Sequence, residues 1–208
     1  LVSLITVLLA TSYKQIGRLM FLFSLLTLIA ILKGFWQKFI GFDAIEYDAL
    51  MESGMYKTHL LPQITRYFSI FTDAGNYGSN MGFTCVLFGI TGLFSKKPGL
   101  KTYYLCVSAL SLYSMFTTGT RGAIVVPLGG LLLFALISKN IRLMSAATVG
   151  GICIYVFFAF TYAGESNYMI RRMRTAFRPN KDASYLVRKQ NRQKLAEYLR
   201  DKPFGEGL

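Results

Sequence analysis

The chain is poor in the residue types that build metal sites and disulfide frameworks. Its 208 residues include one histidine, His59, and three cysteines. Cys85, Cys106 and Cys153 have no close partner in sequence and each lies inside an apolar run, so we expect small buried thiols. A single histidine excludes a histidine-rich metal centre, and no metal-ligand spacing occurs. We therefore predict no bound metal and no cofactor.

Acidic residues are also scarce, with ten Asp and Glu against 23 Lys and Arg and a net charge of +13. In a soluble protein this balance would point to nucleic acid. Here the mean hydropathy is +0.41, and a spanning helix needs roughly 20 apolar residues. Six apolar runs approach that length, at residues 1–11, 19–35, 77–94, 102–117, 122–137 and 143–162.

These runs predict membrane-spanning helices. Lipid admits only helices and closed barrels, and the runs lack the alternation of barrel strands. We predict an all-α fold, a polytopic membrane helical bundle of about six spans over residues 1–162 with an outer loop at 36–76. Residues 163–208 would begin a long, basic and helical outer loop. Because the chain opens inside an apolar run and ends without a stop pattern, we expect an internal segment of a longer protein.

The charges predict an orientation in the membrane. The connectors 12–18, 95–101 and 138–142 hold seven Lys or Arg and no acidic residue. Alternating spans would place all three connectors on one side, which the positive-inside rule makes cytoplasmic. The segments 36–76, 118–121 and 163–208 would then face outward.

Local signals divide these outer segments further. We predict a helix over residues 43–51 that ends at Ser53-Gly54, a change of direction at Pro62 and turn chemistry at 73–76. A helix is also predicted from Asp182 or Ser184 to about Lys202. In the third apolar run, the small residues Gly78 and Gly82 indicate close helix packing.

Four polar residues are candidates for a site at the outer face. Arg121 lies in a very short outer connector near the hydrocarbon boundary, where a charge is costly unless paired or hydrated. Small neighbours leave room beside it for a ligand, although an arginine that snorkels to lipid phosphates remains an alternative. Arg66, Asp73 and Asn76 converge at the start of the third run, where helix capping is the competing interpretation.

The arginine-rich tail offers a further candidate, Arg188. On the predicted helix it shares a face with Arg192, Leu195 and Leu199. A guanidinium is a planar fork that matches phosphate oxygens, so Arg121 and Arg188 together would suit a diphosphate. For residues 171–178, a solvated basic face near anionic lipid is the favoured interpretation.

Three stretches resemble the O-antigen ligase and Wzy-type polymerase superfamily. They are RYFSIFTDAGNYG at 66–78, TGTRGA at 118–123, and the pattern DAS…R…PFGEG at 182–207. The sequence departs from the family pattern at Ala74-Gly75, which replaces Asn-Pro, and at Arg192, where tryptophan is common. The step from Pro203 to Gly205 is one residue short.

The resemblance implies a multi-span glycosyltransferase of the GT-C type in the bacterial cytoplasmic membrane. Such enzymes transfer a glycan from undecaprenyl diphosphate to an acceptor on the periplasmic face, without metal or nucleotide sugar. By the match of motifs, Arg121, Arg188 and Arg66 would bind the donor diphosphate, with Asp73, Asn76 and Arg192 in support.

The family's catalytic histidine would lie beyond Leu208, so we expect the chain alone to be inactive. His59 is in the wrong loop for that role and is interpreted as an ordinary loop histidine. The acceptor remains open: lipid A core for a ligase, a growing polysaccharide for a polymerase, or a protein hydroxyl for a protein O-oligosaccharyltransferase.

Two other classes of protein remain possible on the residues alone. A transporter of an anionic solute would use Arg121 and Arg188 to line a pathway, and residues 127–130 (PLGG) resemble the helix interruption expected at its midplane. A structural membrane subunit without a site would leave the shared side of Arg66, Arg121 and Arg188 unexplained.

Overall fold

A computed structural model describes residues 13–62, 64–138, 141–162, 168–174 and 183–201. Contacts divide the chain between Val149 and Gly150 into two compact units. Helices dominate the described residues, which agrees with the predicted all-α class, and the one exception is a hairpin of two-residue strands.

Every apolar run within the described residues is helical, and the run at 1–11 lies outside them. The elements are α1 (Tyr13–Phe39), α2 (Ala44–Glu52), α3 (Tyr56–His59), β1 (Leu60–Leu61), β2 (Ile64–Thr65), α4 (Ala74–Phe94), α5 (Pro98–Thr117), a 3₁₀ turn (Arg121–Ile124), α6 (Val125–Ser138), α7 (Ile141–Phe160), α8 (Tyr168–Arg174) and α9 (Ala183–Asp201). The predicted helices at 43–51 and from 182 onward are confirmed as α2 and α9.

In the first unit, α4 and α5 form an antiparallel hairpin with the most extensive contact between helices. Helix α1 runs beside α5 in the same direction. Ring centroids lie 5.7 Å apart for Phe21 and Tyr103 and 5.6 Å apart for Phe35 and Tyr113. Ser24 Oγ and the Tyr103 hydroxyl also share a hydrogen bond of 2.8 Å.

Two apolar clusters fill the space between these helices. One contains Tyr77, Met81 and Met115, and the other contains Phe88 and Tyr104. The Phe88 and Tyr104 rings stack with centroids 5.7 Å apart. Full burial of one such side chain stabilises a fold by about 1.5–3 kcal/mol, so the two clusters hold α1, α4 and α5 together.

Close approach of α4 to the chain after α5 depends on two glycines, as predicted. A Cβ on Gly78 would lie 2.7 Å from Thr118 Oγ1 and 3.0 Å from the Ala123 Cβ. A Cβ on Gly82 would lie 3.0 Å from Pro127 Cδ. Real Cβ atoms do not tolerate the shorter distance, so glycine is the residue that allows this packing.

Two helical segments are long and apolar enough to cross a membrane, Lys14–Phe39 and Arg121–Ser138, and Thr148–Phe160 is a shorter apolar segment. This is the part of the six-span prediction that the described residues support. Only 28% and 17% of the two apolar windows are buried. Along α1, Leu22, Leu26 and Leu32 are each more than half exposed. A core helix of a soluble protein would bury such residues, so this exposure fits a lipid-facing surface.

The helix directions separate the first unit into two ends. At the basic end, α1 and α5 begin and α4 and α6 finish. Exposed cations gather there, at Lys14, Arg18, Lys96, Lys97 and Lys101. At the other end, the loop end, lie residues 36–76 and 118–124. The predicted connector boundaries were wrong, because the helices extend into the connectors: Lys14 and Arg18 belong to α1, Lys101 to α5 and Arg142 to α7.

The loop after α1 is ordered by local caps. Asp43 and Glu46 form a capping box at the start of α2, with bonds of 2.9 and 3.1 Å between each side chain and the other's backbone N–H. Lys33 Nζ lies 2.8 Å from Asp43 and 2.9 Å from Glu46. The bond from Lys33, followed by the Glu46 N–H, lowers the pKa of Asp43. Gly54, at φ +70°, ends this segment as predicted.

A buried glutamine fixes the same loop to α1. Gln37 Nε2 donates to Glu46 Oε1 (2.9 Å) and to the Ser69 carbonyl (3.1 Å), and its Oε1 accepts from the N–H groups of Phe68 (3.2 Å) and Ser69 (2.8 Å). Ser69 adopts φ +56°, a left-handed conformation that costs free energy in any residue but glycine. The Gln37 bonds stabilise that conformation.

The second unit, described by itself, contains the later part of α7 together with α8 and α9. Arg174 is buried, and its Nη2 donates to Thr161 Oγ1 at 3.4 Å, while its guanidinium lies 5.9 Å from the Phe157 ring centre. The prediction of a solvated basic face at 171–178 was therefore wrong for Arg174, although Arg171 is exposed. The described side chains of α9 are all exposed.

Two expectations about burial also fail. Cys106 and Cys153 are exposed, and only Cys85 is partly buried. The apolar runs that contain them have two faces, and these thiols lie on the outward face. A thiol behaves as a small hydrophobe in contact with lipid as well as in a core.

Candidate functional site

The candidate site is at the loop end, and its centre is the side chain of Arg66. Arg66 follows β2, and its N–H donates to the His59 carbonyl at 2.8 Å as the next rung of the hairpin. Its guanidinium donates from Nε to the Thr118 carbonyl (3.2 Å), from Nη1 to the Thr58 carbonyl (3.3 Å) and from Nη2 to Thr120 Oγ1 (2.9 Å). The side chain therefore joins the hairpin to the turn after α5, more than 50 residues along the chain.

That turn presents Arg121. Helix α5 ends at Thr117, and Gly119 follows at φ +60°, the left-handed conformation typical of a helix C-terminus. Thr120 then occupies the N-cap position of the 3₁₀ turn that begins at Arg121 and leads into α6, without a capping bond from its side chain. Arg121 is partly exposed, and a Cβ placed on Gly122 would meet no atom within 4 Å. The structure thus has open space at Gly122, the residue after Arg121, and room for a ligand beside the guanidinium stays a prediction.

The start of α4 completes the arrangement. Asp73 is the N-cap of α4, and its carboxylate accepts from the Gly75 N–H. Thr120 Oγ1 donates to the Ala74 carbonyl at 3.1 Å. Thr120, the residue before Arg121, therefore bonds to the predicted residue Arg66 and to Ala74, which directly follows the predicted residue Asp73. The Asn76 side chain is exposed and donates to Thr72 Oγ1 at 2.9 Å, a local bond between the first turn of α4 and the segment before it.

His59, interpreted from the sequence as a loop histidine, is buried and belongs to the framework of this site. Its Nε2 accepts from the Ala74 N–H at 3.3 Å. Nδ1, 3.1 Å from the Met55 carbonyl, is then the protonated nitrogen. Burial lowers the pKa of His59, and the charge of Arg66 acts in the same direction. The imidazole is therefore a second hydrogen-bond acceptor at the N-terminus of α4, beside the N-cap Asp73.

Positive charge from two sources lies at the site, together with the Asp73 carboxylate at the start of α4. The N-termini of α4 and of the segment that leads into α6 both lie at the loop end, and helix N-termini carry partial positive charge. Arg66 and Arg121 add two formal charges. Among the described residues, no group of three or more His, Cys, Asp or Glu side chains is arranged to hold a metal ion.

Arg188 and Arg192 lie in α9, in the second unit. The Arg192 side chain is exposed, and the side chain of Arg188 is outside the described residues. Their contribution to a diphosphate site remains a prediction from the sequence. The expected catalytic histidine beyond Leu208 has no counterpart among the described residues.

Three residues that shape the site without facing it were not predicted from the sequence. Thr58, His59 and Gln37 order the loop, and their partners are mostly backbone groups. The signal that was available is the single histidine placed before a Pro62 turn.

The chain was also compared with known proteins. No family model matches it, and no curated protein and no solved structure gives a significant match.

Proposed function

We propose that this chain carries the donor-binding part of a glycosyltransferase in the bacterial cytoplasmic membrane. The enzyme would resemble O-antigen ligases and Wzy-type polymerases and transfer a glycan from undecaprenyl diphosphate to a periplasmic acceptor. One observation supports this most: the first two stretches that carry the resemblance meet at the loop end, where Arg66 bonds to Thr118 and Thr120 directly before Arg121.

The reaction explains why arginines would be needed. Breaking the bond between sugar and phosphate leaves negative charge on the departing diphosphate. Fixed cations in a site with little water stabilise that charge as it develops, and removing one such donor commonly slows a reaction by about 100-fold to 1000-fold. In this proposal Arg121 contacts the diphosphate, with Gly122 leaving space for it.

Arg66 has a different role in the proposal. Its Nε, Nη1 and Nη2 atoms all donate to protein oxygens, so it is a positioning residue that holds the turn before Arg121. Asp73 and His59 are also positioning residues, because they accept hydrogen bonds from backbone N–H groups at the start of α4. Asn76 is exposed in the first turn of α4 and is proposed to contact the glycan or diphosphate.

The rest of the proposed mechanism comes from the resemblance. Arg188 would bind the donor, with Arg192 in support, and a histidine beyond Leu208 would activate the acceptor hydroxyl as a general base. Lipid A core, polysaccharide and protein hydroxyls all remain possible acceptors.

The transporter hypothesis loses its supporting feature. Pro127 lies in the first turn of α6, where proline is tolerated, and the helix continues through Gly129 and Gly130 to Ser138. No break occurs at the middle of this helix, so residues 127–130 do not resemble the interrupted helix of a transporter.

The test is a charge deletion with a matched control. In the full-length protein, Arg121→Ala should reduce glycan transfer by about 100-fold and cause lipid-linked donor to accumulate, as judged by glycan gels and lipid extraction. Arg121→Lys keeps the charge but not the planar fork, so its loss should be smaller. Lys57→Ala removes an exposed cation at the same end and should change little. Normal transfer by a well-inserted Arg121→Ala protein would refute the proposal.

A further inference from the structure

An open groove lies at the basic end, far along the helices from Arg121. It has a volume of about 1160 Å³. The start of α1, the end of α4 and the start of α5 form its walls, and all of them belong to the first unit. The lining is mostly apolar, and two cations, Lys14 and Arg18, lie at its edge.

The groove has the layout of a lipid site. Lys14 and Arg18 are four residues apart on α1, so they share one helix face. Gly17 lies between them, and a Cβ placed there would meet nothing within 4 Å, so the backbone is open at this point. Leu22 is one helical turn, or about 6 Å, further along the helix from Arg18. The charged lining residues of α1 therefore come first, and apolar lining residues follow them in the direction of the bilayer interior.

The charges select an anionic ligand. The groove walls, at residues 14–22 and 91–104, contain no Asp or Glu, while exposed Lys96, Lys97 and Lys101 add charge nearby. The positive-inside rule assigns such an end to the cytoplasmic leaflet, where anionic phospholipids create a negative surface potential. Basic pockets between membrane helices on that side are suited to phospholipid head groups.

From this combination we infer that the groove binds an anionic phospholipid of the inner leaflet, such as phosphatidylglycerol or cardiolipin. The phosphate lies between Lys14 and Arg18, and an acyl chain lies along Phe21, Leu22 and Phe94. This lipid is separate from the polyprenyl diphosphate proposed at the loop end. Both inferences require insertion into a membrane, but neither requires the other.

The test is lipid retention by the purified, membrane-extracted protein. Native mass spectrometry with equal amounts of phosphatidylglycerol and phosphatidylethanolamine should show preferential retention of phosphatidylglycerol. Each cation near a membrane surface contributes roughly a fivefold preference, so Lys14→Gln combined with Arg18→Gln should lower the preference about 30-fold. These side chains are exposed, so the fold should survive.

The matched control removes the same charge outside the groove. Lys96→Gln combined with Lys97→Gln should change retention by less than about threefold, because neither residue lines the groove. Gly17→Leu fills the groove without a change in charge and should lower retention of phosphatidylglycerol. Millimolar inorganic phosphate should not displace the lipid, since a soluble anion lacks the acyl chain.

Three outcomes would overturn the inference: no preference for phosphatidylglycerol, equal losses in the two double variants, or displacement by inorganic phosphate. The readout needs no glycan donor. Arg121→Ala should leave lipid retention unchanged, so failure of the transferase proposal and failure of this one are distinguishable.

Discussion

The two ends of the first unit use cations in different ways. At the basic end, Lys14, Arg18 and their neighbours are exposed along helices with no acidic residue between them. At the loop end, Arg66 and Lys33 bond to oxygens of other segments, and buried Gln37 and His59 hold backbone groups. The cations at the basic end therefore face the surroundings of the protein. The polar groups at the loop end bond to other parts of the chain and hold the loops next to Arg121 in place.

Removal of the Arg66 side chain should cause the largest difference in stability between variants at the two ends. Arg66→Ala removes three hydrogen bonds from a charged donor, so we expect a loss of about 3 kcal/mol in the free energy of unfolding. Arg18→Ala at the basic end should cost less than about 0.5 kcal/mol. Thermal unfolding in detergent measures both. Equal stability of the two variants would mean that the Arg66 bonds contribute nothing.

Gln37 offers a second pair. Gln37→Leu leaves the buried N–H groups of Phe68 and Ser69 without their acceptor, and we expect a loss of about 2 kcal/mol. Gln15→Leu, at an exposed position near the other end of α1, should be nearly neutral. Denaturant unfolding compares the two, and a neutral Gln37→Leu would contradict the assigned role.

Substitution of glycines should have different effects at packed and at open positions. Gly78→Ala forces a Cβ to within 2.7 Å of Thr118 Oγ1, so we expect a loss of about 1–2 kcal/mol. Gly99→Ala at the basic end and Gly122→Ala beside Arg121 meet open space and should not destabilise the protein. Under the proposed function, Gly122→Ala should lower glycan transfer, whereas Gly99→Ala should not. A stable Gly78→Ala protein would show that the helices separate easily.

The smallest expected effect is a pH dependence confined to the loop end. Burial lowers the pKa of His59 in the folded protein, so the unfolded chain takes up the proton first as the pH falls below about 6.5. The free energy of unfolding should therefore fall below that pH and level off once folded His59 is also protonated. His59→Gln should remove this component. An unchanged profile in the variant would assign the dependence to other groups.

The comparison also shows what the sequence can predict. Apolar runs indicate the helices because burial and lipid contact both select for such runs, and Asp43 and Asp73 signal caps through local bonds. Gly122, within the small residues at 118–123, has open space around its α-carbon. These features depend on neighbours a few residues away.

Long-range polar contacts escaped prediction for a physical reason. Gln37 bonds to Ser69, 32 residues away, and Arg66 bonds to Thr120, 54 residues away. A glutamine or histidine has the same local pattern whether it is exposed or buried, so only the packed structure identifies its partner. Arg174 was misjudged in the same way, because it is buried in the same helix that leaves Arg171 exposed.

The central claim is that the two ends lie on opposite sides of a membrane, with the Arg121 end outside. Two exposed lysines test it directly, Lys57 at the loop end and Lys97 at the basic end. With Cys85, Cys106 and Cys153 replaced by serine, Lys57→Cys and Lys97→Cys would each be probed in intact cells with a membrane-impermeant maleimide. We predict labelling of Lys57→Cys alone, with Lys97→Cys labelled only after the cells are opened. Labelling of both in intact cells, or of Lys97→Cys alone, would contradict the account.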